Sequence, residues 1–242
     1  MSLSKNHIKL IHSLRQKKFR QNKGLFVAEG VKVINELMNS SLEVFQLFIT
    51  NEFSADFNTD KIIHISESEL KKISTLKSPN KVLGVFKIPD EKDLNQDGLI
   101  IALDAINDPG NLGTIIRLCD WFGVEELVCS SDTVDCYNQK VIQSTMGSIT
   151  RVNLKYTDLK EFIKHSKLPV YAADMDGENV YAKQLPSEAI LVMGNEANGI
   201  SSEIENAITH KLTIPRFGNS QETESLNVAT ATAILLSEFK RG

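Results

Sequence analysis

Beyond residue 98 the chain repeats one pattern: a short apolar run of strand length, a polar turn, then apolar positions at helical spacing. The strand-like runs fall at 99–103, 126–129, 152–155, 170–174, 190–193 and 211–214. Helical stretches at 112–122, 138–146, 158–164, 201–208 and 226–239 separate most of them. Such alternation predicts an α/β fold in which a parallel sheet carries helices on both faces. In the first of these helices Leu112, Ile115, Ile116, Cys119 and Phe122 recur at i, i+3, i+4, i+7 and i+10, which is one face. Asn111 reads as its N-cap and Gly123 as its stop.

The first ninety residues are patterned differently. Residues 5–19 read as a basic amphipathic helix with Ile8, Ile11 and Leu14 facing inward. Strands are predicted at 26–28, 44–49, 62–65 and 82–86, with a helix at 30–38. Ser66 and Glu69 form a capping box for a further helix through Ile73. The stretch 89–98 is polar, acidic and almost free of apolar residues. The chain therefore divides into a small α/β domain over 1–90, a linker over 91–98 and a second domain over 99–242.

Composition narrows the class. The 242 residues carry a formal net charge of −4, with charged and apolar fractions of a soluble globular protein. No run approaches the roughly 18 apolar residues of a membrane span, and the N-terminus lacks the apolar core of a signal peptide, so a cytoplasmic address is expected. Cys119, Cys129 and Cys136 form no CxxC and read as reduced structural residues. The five scattered histidines give no metal motif, so no metal is expected. Charge is unevenly placed: Lys5, Lys9, Arg15, Lys17, Lys18, Arg20 and Lys23 all precede the first acidic residue, Glu29. That is an electrostatic footprint suited to a phosphate backbone, although a solvated helix face is the commoner fate of such a run.

Ligands of open parallel sheets sit at the carboxyl ends of strands, so the turns there are the candidate chemistry. The first runs from Asp108, Pro109 and Gly110 to Asn111, Leu112 and Gly113. Arg117 lies off the apolar stripe, and its side chain should lean back over Gly113 toward the turn, where free amides favour an anion. An ordinary surface arginine would fit that stretch equally well. The second turn, Gly194-Asn195-Glu196-Ala197-Asn198-Gly199, holds a lone carboxylate between glycines. The third begins at Ile214-Pro215 and ends at Ser225-Leu226-Asn227, where the last helix starts. That helix has no charged face until Glu238, so it must be buried in its own domain or against a partner chain. The glycines form no GxGxxG after the first strand, which disfavours a dinucleotide or Rossmann-type methyltransferase site.

Together these three turns, in this order, closely resemble the motifs of the SpoU (TrmH) family of S-adenosylmethionine-dependent RNA ribose 2′-O-methyltransferases in the SPOUT superfamily. The resemblance covers 99–242. The basic start, the stretch from Phe26 to Gly30 and Leu83-Gly84-Val85 make the first domain similar to the L30e-like RNA-binding domain that often precedes this catalytic domain. The resemblance implies a trefoil-knotted C-terminal domain, S-adenosylmethionine as cofactor, and a homodimer through the last helix. It implies structured RNA as substrate, ribosomal RNA by analogy, with transfer RNA or a non-catalytic RNA-binding role as alternatives. Matching positions make Gly194, Ile214 and Leu226 cofactor-binding, and Asn111, Arg117, Glu196, Ser225 and Asn227 catalytic. Lys17, Lys18 and Arg20 are expected to bind RNA. Thr145-Met146-Gly147-Ser148 departs from the usual Ser-x-Gly-Ala, and the 216–224 loop is longer than in compact members.

The chemistry asks for such residues. A ribose hydroxyl is a poor nucleophile and a sulfonium methyl is already activated, so alignment and one proton are what remain to manage. Arg117 is expected to anchor the substrate phosphate and stabilise the developing alkoxide, held in place by Glu196. Asn111, Ser225 and Asn227 would orient ribose and arginine. A base role for Arg117, after its proton passes to the RNA phosphate, is the other family reading.

Overall fold

The computed structural model describes residues 3–51, 53, 60–218 and 225–241, which form two compact units. In chain order the first contains α1 (Lys5–Ser13), α2 (Lys17–Lys23), β1 (Leu25–Glu29), α3 (Val31–Met38), β2 (Val44–Ile49), β3 (Ile62–His64), α4 (Glu67–Ile73) and β4 (Val82–Lys87). The second unit opens with β5 (Leu99–Leu103), α5 (Pro109–Phe122) and β6 (Glu126–Cys129). The chain then supplies α6 (Gln139–Thr145) to the first unit. It returns to the second with β7 (Asn153–Tyr156), α7 (Leu159–His165), β8 (Val170–Asn179), β9 (Ala189–Met193), α8 (Ser202–Glu205), β10 (His210–Thr213) and α9 (Val228–Arg241).

The first unit is a four-stranded sheet in the order β1-β4-β2-β3, antiparallel except for the β2–β3 pair. The amphipathic start is not one helix. Leu14 to Gln16 break it, and Arg20 is why: its Nη1 donates to the carbonyls of Leu14 and Arg15 at 2.9 and 3.0 Å, ending α1. Its Nε donates to Asp135 at 2.8 Å, and Nη2 pairs with the same carboxylate. Only 3% of Arg20 is exposed, so it is a structural residue and does not present its charge to RNA. The expectation that Lys17, Lys18 and Arg20 act together is corrected at Arg20.

Asp135 belongs to a segment that packs with the first unit although it lies far beyond it along the chain. The segment Asp135–Thr150, which the sequence pattern assigned to the second domain, belongs to the first unit. Tyr137 packs on Phe26 with ring centroids 4.9 Å apart, and Ile142 is buried with Phe26, Ile34 and Phe86. The buried Glu29 carboxylate accepts from the Gln139 amide, the Ser74 hydroxyl, and both the backbone N–H and hydroxyl of Thr75. A Cβ on Gly147 would meet the Glu36 side chain at 2.4 Å, so the departure motif around it is pressed onto α3.

The second unit is the expected parallel sheet, in the order β10-β8-β9-β5-β6-β7 with every pair parallel. Ile100, Ala102, Val128, Ile190 and Val192 meet α7 residues Leu159 and Ile163 on one face. The alternate residues Ile101, Leu103, Leu127 and Leu191, equally buried, point to the other, where α5 and α9 pack together. Asp108, not Asn111, is the N-cap of α5: its Oδ1 accepts from the Asn111 N–H at 2.9 Å and Pro109 takes the first helical position. β8 runs five residues beyond the expected 174, and its pairing with β10 jumps from Lys211↔Ala172 to Leu212↔Glu178. Gly177 permits this, since a Cβ there would sit 2.5 Å from the Leu212 carbonyl carbon. All three cysteines are buried, and no helix among the described residues is long and apolar enough to cross a membrane. Among the described residues no cluster of three or more His, Cys, Asp or Glu could hold a metal.

Arg20→Ala should lower the unfolding free energy of the first unit by about 3 kcal/mol, because the Asp135 carboxylate would be left without its cation. Chemical denaturation checks this, and a change below about 0.5 kcal/mol would show Arg20 to be an ordinary surface residue.

Candidate active site

Strands β5 and β9 lie side by side, so the turns that leave their carboxyl ends begin as neighbours. Asp104 continues the ladder past β5, with its N–H donating to the Met193 carbonyl at 2.9 Å. Its buried carboxylate accepts from the Ser201 N–H at 2.7 Å. Asn195 closes the second turn on itself by mutual backbone bonds with Gly199, and its side-chain amide donates to the Ala105 carbonyl at 2.7 Å. Ala105 sits at φ 54, a conformation that costs a non-glycine residue about 1 kcal/mol or more and persists only when its neighbours hold it. Gly194 has no alternative, because a Cβ would meet the Gly199 carbonyl carbon at 2.5 Å.

These ties bring three of the expected residues into one hydrogen-bonded line. The Asn227 Oδ1 accepts the Ala229 and Thr230 N–H groups at 3.0 and 3.2 Å, capping α9. Its Nδ2 is therefore the end left to face outward, and it donates to the Asn111 Oδ1 at 2.9 Å. Asn111 in turn donates through Nδ2 to the Glu196 Oε1 at 2.5 Å. The helix cap fixes one amide, that amide fixes the next, and the second fixes the carboxylate.

Beside this line lies a cleft of about 720 Å³, within the size range of cofactor sites. Gly194, Glu196, Ile214, Ser225 and Leu226, all named from the sequence, line it. So do Asp174, the last residue of the strand read from the sequence, and Met175, just beyond it, neither of which the sequence reading named as a site residue. The Lys211 ammonium bridges Asp174 and Glu205 at 2.8 Å each. Its hydrogen bond to Asp174, then that to Glu205, raises the lysine pKa, and the lysine in turn holds Asp174 below the usual carboxylate range. Apolar Met193, Ile214 and Leu235 beside the acidic Asp174 and Glu196 make a wall suited to a flat heterocycle carrying a cationic group.

Arg117 stands apart from the expectation in one respect. It is exposed on α5 and, among the described residues, has no hydrogen bond or ion pair, so Glu196 holds Asn111 and not Arg117. The Ser225 side chain likewise has no partner among the described residues. Residues 219–224 of the longer loop lie outside the described residues.

Asp108 and Asn195 were missed as organising residues, although Asp-Pro before a helix is itself a start signal.

Comparison with known proteins agrees with this geometry. Residues 98–237 match the SpoU rRNA Methylase family, and residues 5–84 match the MRM3-like substrate binding domain. The chain is 29% identical over 234 residues to the 23S rRNA guanosine 2′-O-methyltransferase RlmP of Bacillus subtilis, covering 94% of this chain and 93% of that one. The structure of a TrmH-family protein from Porphyromonas gingivalis superposes with a TM-score of 0.88 at 38% identity, covering 99% of this chain and 98% of that one. An AdoMet-bound rRNA methyltransferase from Sinorhizobium meliloti superposes with a TM-score of 0.82 at 27% identity, over 100% and 97% of the two chains. With its first two motifs on the neighbouring ends of β5 and β9 and more than half its length matched, the chain belongs to the SpoU rRNA Methylase family.

Proposed function

We propose that the protein transfers the methyl group of S-adenosylmethionine to a ribose 2′-hydroxyl of ribosomal RNA in the cytosol. The observation that carries this is the line Asn227–Asn111–Glu196 at the edge of a cleft of cofactor size. When bound, the cofactor supplies an electrophilic methyl on a positively charged sulfur. Gly194, Ile214 and Leu226 would hold it, with acidic Asp174 and Glu196 favouring its charge. The knotted threading of related domains is part of the same proposal.

The chain's own residues then have distinct tasks. Asn111 and Asn227 fix the ribose by hydrogen bonds whose direction the α9 cap has already set. Glu196 has committed Oε1 to Asn111, and its other oxygen, without a partner among the described residues, accepts the hydroxyl hydrogen bond and then the proton that the hydroxyl gives up as its oxygen gains the methyl group. Arg117 sits about two turns along α5 from Asn111 with no competing carboxylate among the described residues, so its guanidinium is available to clamp the RNA phosphate. It also stabilises charge on the attacking oxygen, a role that needs a permanent cation. Ser225 lies on the cleft wall to meet the same sugar.

Lys17 and Lys18 are exposed on α2 and, with Lys5, Lys9 and Lys23, give the first unit its RNA-binding charge. Homodimerisation through α9 accounts for a helix that keeps Ala231, Ala233 and Ile234 only half-buried, next to α5 with Trp121 82% exposed.

Arg117→Lys should slow single-turnover methyl transfer to ribosomal RNA by about a hundredfold with cofactor affinity unchanged. A near-normal rate would remove the arginine from the mechanism, and a product cleaved by alkali at every linkage would exclude ribose methylation. Charge reversal at Lys17 and Lys18 should weaken RNA binding and flatten its salt slope by about two ions, whereas unchanged affinity at low and high salt would refute the assignment. Light scattering should give twice the 27.0 kDa chain mass, falling to one chain in Trp121→Glu; a monomeric parent would refute the dimer.

A further inference from the structure

Large hydrophobic side chains left in solvent are uncommon enough to question when they gather, and a group of them sits at the rim of the cleft. Phe217 is 81% exposed, Met175 is 52% exposed and Tyr181 is 39% exposed. They come from three separate stretches: Met175 from β8, Tyr181 from the 3₁₀ turn after it, and Phe217 from the chain following β10. The Phe217 and Tyr181 rings lie with centroids 6.3 Å apart and planes tilted by 32°. Arg216 reaches the same group, its Nη2 lying 3.6 Å from the Met175 sulfur. Phe217 and Met175 border the same cleft as Gly194 and Glu196.

We propose that Phe217, flanked by Tyr181, is a stacking platform for a nucleobase of an unpaired RNA segment that carries the target ribose; the inference rests on the methyl-transfer reading and adds which RNA the site takes. Several physical points converge on a nucleobase as the occupant. Phe217 borders the cofactor-sized cleft that Glu196 and Ser225 also line, so a planar group bound on its ring lies at the rim of the same pocket. An aromatic face binds every base through its π surface, and Phe217 carries no group that could read a base edge. A base inside a duplex has no free face to offer, so the platform selects loops and single strands over helices. Tyr181 lies beside Phe217 with its ring tilted by only 32°, which widens the aromatic surface open to a base. The pair therefore selects the unpaired state of the nucleotide while leaving its identity to contacts elsewhere.

The test uses the full chain and a roughly 12-nucleotide RNA containing 2-aminopurine, presented as a single strand and as a duplex. The parent protein should quench the single-stranded probe and bind the duplex more weakly. Phe217→Ala should lose the quench and weaken single-strand binding by about tenfold, Tyr181→Ala should lose part of it, and Phe217→Trp should keep it. Cofactor affinity by calorimetry and mass by light scattering should not change in Phe217→Ala. Four results would overturn the platform: a retained quench in Phe217→Ala, equal binding of duplex and single strand, a comparable loss of cofactor affinity, which would make the ring part of the cofactor wall, or a fall to single-chain mass, which would make it a subunit contact. Failure of the underlying reading would look different, since the parent protein would then place no methyl on ribosomal RNA while the quench persisted.

Discussion

An asparagine side chain is ambiguous on its own, because its oxygen and nitrogen ends can exchange by a flip. In this protein the flip is removed by a helix. The N-terminus of α9 needs an acceptor for its first amides, Asn227 supplies the oxygen, and only the amino end remains to face Asn111. Asn111 must then answer with its oxygen and pass its own amino group to Glu196. Each bond is worth about 1 kcal/mol, more for the one ending on a carboxylate, yet together they assign donor and acceptor at every position before substrate arrives. That preorganisation is what a reaction limited by alignment requires.

The sheet makes this line affordable in backbone terms. Because β5 and β9 pair directly and in parallel, Asn111 and Glu196 leave neighbouring strand ends although 85 residues separate them in sequence. Asp104 and Asn195 lash the two turns together through backbone amides and carbonyls, so Asn111 and Glu196 leave turns that are tied to each other. The positive φ of Ala105 and the obligatory glycine at 194 are the local strain and close approach that such a convergence demands. Arg117 is the contrast: a cation kept out of the line, with its charge uncommitted among the described residues.

Much of this was legible along the chain for specific reasons. The apolar spacing of α5, the Ser66–Glu69 capping box and five of the six strands of the parallel sheet are local signals, and the structure reproduces them within a few residues. The three turns were legible because each couples a strand end to glycine or asparagine chemistry. Other features depend on partners distant in sequence. Arg20 looked like one more cation in a basic run, and only Asp135, 115 residues later, makes it a buried tie. Helix α6 was foreseen in place and length, but not its membership in the first unit, since continued strand–helix alternation carries no label for the core a helix joins. The length of β8 escaped because a mid-strand glycine reads as an ending unless the crowding of Leu212 against Gly177 is known.

The central claim is that Asn111 and Glu196 act as one unit. A double-mutant cycle on the single-turnover rate of methyl transfer, using Asn111→Ala, Glu196→Ala and the pair, tests it directly. The account predicts a coupling of about 1 kcal/mol or more, with the double variant hardly slower than the slower single one. Losses that add to within about 0.5 kcal/mol would mean that the two residues work independently and that the hydrogen bond between them organises nothing.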